Sequence, residues 1–176
     1  MLPADKTGTF FRSTAAMSDE HCSAARTAAG NYFRQGYNCA ESIFLTFRPY
    51  LARQLDEKLV RLATPFGGGI GRAGCMCGAL SGAVMMLGLK TGRTAPDISH
   101  DGAYELAAEF QKRFVAQFGA TCCRALNRHP FDTREQGRNC IKIIGTTAKL
   151  FMTFLLEKGI VKFPDTAACE TGQAAS

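Results

Sequence analysis

Eight cysteines in 176 residues are the part of this sequence best suited to chemistry: Cys22, Cys39, Cys75, Cys77, Cys122, Cys123, Cys140 and Cys169. In a reducing compartment, cysteines at this density serve as metal ligands or redox groups more often than as permanent disulfides; the plain alternative is a small buried apolar side chain. Their settings differ. Asn38 reads as a helix cap directly before Cys39, and Cys77 opens a run of small apolar residues that reads as a central buried helix. A thiol at a helix start has its thiolate favoured by the positive end of the helix. Two such cysteines point to helix ends converging on one place, where backbone N–H groups could stabilise thiolates or cluster sulfurs. Cys140 falls about two turns into the last long helix, beside Ile141 and Ile144, and is expected to face the core. Cys122 and Cys123 are neighbours, so one is expected inward and the other peripheral. Cys75-Met-Cys77 offers two ligands to a metal, although Cys75 lies in loop, and Cys22 and Cys169 read as bystanders.

Other chemistries find little support. No spacing matches a paired Cys-x-x-Cys zinc site, and His21, His100 and His129 are far apart; only His129 lies between cysteines of interest. No Gly-x-Ser-x-Gly nucleophile elbow occurs, and Ser81 falls within the small-residue helix. Gly69-Ile-Gly71-Arg-Ala-Gly74 has the letters of a dinucleotide fingerprint without its context: Pro65 precedes it and no second strand follows. The glycine loop still runs into a helix start, so it could hold an anion or pack round a cofactor. Gly68 and Gly69 in that loop, with Gly78 and Gly82 on the helix, are therefore candidate cofactor-binding positions.

The elements that must position these residues read as helices. One is expected over about 19–35, ending at Gly36, with Ser18-Asp19-Glu20 as its start and Met17 as a candidate natural first residue. A second begins after Asn38 and is kinked or ended by Pro49, and a short helical stretch follows from Asp56 to Ala63. Residues 64–76 are too rich in glycine for a helix. Gly78 and Gly82, like Ala79 and Ala83, are four apart, which gives the next helix a face that a neighbour can approach closely. Asp101 to Phe118 forms a long helix ended by Gly119, and Asp132 to Glu135 has capping-box spacing for a last helix reaching about Lys158. The sum is an all-α, single compact bundle of five to six helices. Residues 18–160 form the domain, 1–17 a flexible leader and 161–176 a flexible tail.

Composition sets outer bounds. At 46% hydrophobic and 20% charged the chain can build an ordinary core. The net charge of +6 comes from dispersed Lys and Arg, with no basic block and no interleaved aromatics, so no nucleic-acid partner is expected. A basic surface could attract an acidic electron-transfer partner or an anionic ligand. No apolar run of about 18 residues stands out, so no membrane insertion is expected. The opening MLPADKTGTFFRSTAAM lacks a secretory pattern, which points to a cytoplasmic protein. A homo-oligomer remains open.

The ordered cysteine segments resemble the C_GCAxxG_C_C family of small bacterial and archaeal proteins. Cys77-Gly78-Ala79-Leu80-Ser81-Gly82 fits its Cys-Gly-Ala-x-x-Gly signature, flanked by Phe66-Gly67-Gly68-Gly69 and Leu87-Gly88-Leu89. Gly36-Tyr37-Asn38-Cys39-Ala40-Glu41-Ser42 is similar to its first cysteine segment and 118–126 to its third, where the Arg-x-Leu continuation favours Cys123 over Cys122; Cys140 stands where the fourth cysteine is expected. The resemblance spans roughly 22–158. It implies redox activity centred on Cys39, Cys77, Cys123 and Cys140, and related domains suggest an iron–sulfur cluster, for which four thiolates are the usual complement. Two alternatives stand beside that. One is a thiol–disulfide protein cycling a pair of lowered pKa that includes Cys77. The other is a non-enzymatic metal- or partner-binding module.

Overall fold

The computed structural model describes residues 14–163; Cys169, most of the expected tail and most of the expected leader lie outside them. Six α-helices carry the described chain: α1 (Thr14–Arg34), α2 (Cys39–Leu51), α3 (Gly78–Thr91), α4 (Asp101–Phe118), α5 (Cys123–Leu126) and α6 (Arg134–Glu157). Two 3-10 turns, Glu57–Leu62 and Thr64–Phe66, lie between α2 and α3, and the all-α expectation holds.

Local signals explain most boundaries. The Asn38 side chain accepts from the N–H groups of Ala40 and Glu41, while Glu41 accepts the Asn38 N–H, a reciprocal pair that satisfies the orphan donors at the start of α2. Pro49 sits inside the last turn of α2 and the helix continues to Leu51 before it stops. Gly36 and Gly119, with φ of 101° and 80°, turn the chain out of α1 and α4 through left-handed backbone. Two expected starts move. Ser18 is no cap, because α1 already begins at Thr14. The cap of α6 is Thr133, whose hydroxyl accepts from the Gln136 N–H, rather than Asp132, which adopts φ 66° and ion-pairs with Arg72 at 2.8 Å.

Helix α1 packs along α6, α2 lies between α1 and α3, and α4 covers α3 and α6. The small-residue face of α3 performs the close approach expected of it: a β-carbon on Gly82 would stand 2.8 Å from the Ala40 carbonyl oxygen and 3.2 Å from the Ile43 β-carbon. On the far side of α2, Phe47, Phe110, Phe151 and Phe154 interlock edge to face or tilted, with centroid separations of 4.7, 4.9 and 5.5 Å. The expectation of no membrane-length apolar segment is corrected at α6, which by length and composition alone could cross a membrane; half of its most apolar window is buried inside the protein. That hydropathy comes from a wide core-facing stripe, including Ile144, Ala148, Phe151 and Leu155, spread among polar residues so that no unbroken apolar run is visible in the sequence.

Candidate thiol site

The loop from Phe66 to Cys77 joins the second 3-10 turn to α3 and builds one wall of the site. Gly68, Gly69, Ile70, Gly71 and Arg72 all have positive φ, a run that only a glycine-rich stretch accommodates at low cost. Ile70 and Arg72, whose β-carbons make this region costly, are both exposed and carry the strain of the run. The loop is tied down where the chain returns. Met76 pairs with Cys122 in antiparallel fashion, the Cys77 N–H donates to the Thr121 carbonyl at 2.8 Å, and the Arg124 N–H donates to the Gly74 carbonyl at 3.0 Å. This pairing brings the Cys77 and Cys123 segments side by side. Alternation along so short a stretch gave no strand signal in the sequence.

Cys39, Cys77, Cys123 and Cys140 all line one cavity of about 540 Å³. They arrive from four elements: the first turn of α2, the cap of α3, the first turn of α5 and the second turn of α6. Three are almost sealed, with Cys39 7%, Cys77 5% and Cys123 6% exposed, whereas Cys140 is half-buried. The adjacent pair divides as its geometry demands: Cys123 is inward, and Cys122 is exposed with its thiol donating to the Gly74 carbonyl at 2.8 Å. Cys75 is exposed, and Cys22 is buried elsewhere, 3.2 Å from the Thr153 hydroxyl. None of the three histidines lines the cavity; His21 stacks on Phe163 and His100 on Tyr104.

The candidate glycines have unequal places. Gly68 lines the cavity, and its backbone N–H points at Cys39. Gly78 has the Cys39 sulfur in van der Waals contact with its bare α-carbon face, and its N–H also serves that sulfur. Gly69 is pressed against Cys75 and the β-carbon of Cys123, behind the cavity wall. Gly82 lies between α2 and α3, where it sets the helix spacing.

Electrostatics overturns one expectation. Burial pushes the Cys77 thiol up to about 12 and the Cys123 thiol up to about 11, with their cysteine neighbours adding to the shift. Cys39 and Cys140 are also raised, by burial first. The helix starts do act in the expected direction, since the N–H groups of Ala79 and Leu80 favour the Cys77 thiolate, but desolvation outweighs them. The metal-free site is therefore a set of neutral thiols, without the lowered-pKa pair that a fast exchanger needs. Two amides missed in the sequence also face it. The Asn127 and Gln136 side-chain N–H groups each donate to the Cys140 sulfur at 3.2 Å. Gln136 lies four residues before Cys140 on the same helix face, a spacing that could have flagged it.

Four cysteine side chains from four elements share one cavity wall. Among the described residues no three His, Cys, Asp or Glu side chains form a group that could hold a metal ion, and the four cysteines are spread along the cavity wall. Four thiols are the complement of a polynuclear iron–sulfur cluster, and N–H groups aimed at Cys39 and Cys77 oppose the charge of thiolate ligands.

Comparison with known proteins places the four cysteines in a redox-active family. An uncharacterised protein of Archaeoglobus fulgidus is 28% identical over 130 residues, covering 69% of this chain and 86% of its own. No solved structure matches. The family model described as "Putative redox-active protein (C_GCAxxG_C_C)" matches residues 37–154, a span that holds all four cavity cysteines. The chain belongs to the C_GCAxxG_C_C family.

Proposed function

We propose that this protein is an electron-transfer protein whose Cys39, Cys77, Cys123 and Cys140 bind an iron–sulfur cluster in a reducing, intracellular compartment. The observation that carries the reading is the convergence of four thiols from four separate elements on one cavity. When bound, such a cluster supplies one-electron chemistry. The chain's own part is to hold the sulfurs, exclude water from three of them and offer backbone N–H groups to two. Neutral thiols, three of them sealed from water, are poor nucleophiles. Exchanging their protons for bound iron removes the desolvation problem that keeps them protonated.

Anaerobic purification followed by iron and acid-labile sulfide analysis tests the reading. Both elements are expected in the coloured native protein and absent from a Cys77→Ser variant. A colourless protein that takes up neither after reconstitution rejects it. The thiol–disulfide reading fits less well, because thiols held protonated at neutral pH attack a disulfide slowly.

A further inference from the structure

Cys140 differs from the other three cavity cysteines in two independent ways. It is the one with partial access to solvent, and its sulfur accepts two side-chain amide bonds. The amides are themselves anchored. Asn127 is buried, and its Nδ2 also donates to the Gln136 carbonyl at 2.9 Å, so one side chain spans the gap between α5 and α6. Asn139, next to Cys140, donates to the Leu126 carbonyl at 3.0 Å and fixes the same junction. Gln136 has its N–H held by the Thr133 cap, and its side chain follows the cavity face of α6 to Cys140. Among the described residues no comparable side-chain donor reaches Cys39, Cys77 or Cys123, which rely on backbone groups or burial.

We propose that Asn127 and Gln136 are positioning residues that hold Cys140 as the solvent-side sulfur of the site and set the reduction potential of the bound cluster through two N–H···S bonds. The inference rests on the cluster reading above. Amide bonds to a ligand sulfur withdraw charge from it, and the reduced state carries more negative charge, so each bond favours reduction. Removing a donor therefore lowers the midpoint potential.

Dye-mediated potentiometry on anaerobically purified protein is the test, with Gln136→Met and Gln136→Glu as the principal variants. Gln136 is the third residue of α6, where glutamate is favoured and methionine is a good helix former, so both variants keep the fold. Poised at the wild-type midpoint, Gln136→Met is expected to show a ratio of reduced to oxidised cluster several-fold below one. Gln136→Glu, which replaces the donor by a carboxylate, is expected to show a lower ratio still. Asn127→Ala is expected to move in the same direction. Ratios within twofold of wild type for both Gln136 variants, at retained iron and sulfide, overturn the inference and leave the cluster reading standing. A wild type that holds no cluster after reconstitution rejects the cluster reading and this inference with it.

Discussion

The Cys39 sulfur rests against the bare α-carbon of Gly78, in the space that any side chain at 78 would occupy. The same β-carbon would also meet the Phe66 carbonyl at 2.7 Å, so backbone closes the other way out. Gly78→Ala is expected to destabilise the protein by about 1–3 kcal/mol through overpacking and to displace Cys39 from the cavity. Gly88→Ala on the same helix provides the contrast. Nothing lies within 4 Å of its added carbon, so the gain in helix propensity should stabilise by up to about 1 kcal/mol. Urea unfolding of both variants, with iron content for Gly78→Ala, checks the pair. A neutral Gly78→Ala that keeps its iron contradicts the packing argument.

Cys77 gives the protein a characteristic pH response. Its thiol is raised by burial from 9.0 to about 12, so the folded state holds a proton that the unfolded state has lost. The unfolded chain therefore gains more from deprotonation, and the stability tied to Cys77 is complete below pH 9 and is lost as pH rises through about 12. Metal-free wild type should lose more stability between pH 8 and pH 10.5 than Cys77→Ala does; equal losses would exclude the shift. At neutral pH the shift leaves Cys77 with roughly a thousandfold less thiolate than an ordinary thiol, and its alkylation should be slow to match.

Asn38 serves the fold and the site together. Besides capping α2 it donates to the Thr64 carbonyl at 3.0 Å, and its side chain fills the space over Gly67. Asn38→Ala should cost about 1 kcal/mol from the lost cap alone. Because Cys39 is the next residue, it should also weaken iron retention. Asn38→Asp, which keeps the acceptor that caps the helix but loses the donor to Thr64, should recover most of the stability. Thermal melts of the two variants distinguish them.

Cysteines outside the cavity should be dispensable. Cys75→Ser and Cys122→Ser change exposed side chains, and Cys22→Ala changes one buried elsewhere, so all three should keep the wild-type iron-to-protein ratio. Loss of iron on Cys122→Ser would move the ligand assignment one residue along the chain.

The helical character of the chain was legible because its caps are local. Asn38 with Glu41, Gly36, Gly119 and the small-residue run after Cys77 each announce an element within a few positions of the sequence. The convergence of Cys39 and Cys77 was also anticipated from helix starts, and the inward choice of Cys123 came from family resemblance. What sequence could not supply is the balance of opposing terms at those starts. The helix end favours a thiolate at Cys77, but only the packed structure reveals how completely water is removed from it. Nor could it supply the Met76–Cys122 pairing or the Asn127 bond to Cys140, which depend on segments joined only by the tertiary fold.

Because the four sulfurs are distributed from α2 to α6, the cavity has no partial form on the ribosome. A nascent chain that has emerged only through α5 carries three of the four cysteines and lacks the helix that closes the wall. Any group that needs all four thiols must therefore wait until α6 has emerged and packed. The desolvation that keeps Cys77 and Cys123 protonated arises only at that same step, when the closed cavity takes them out of water.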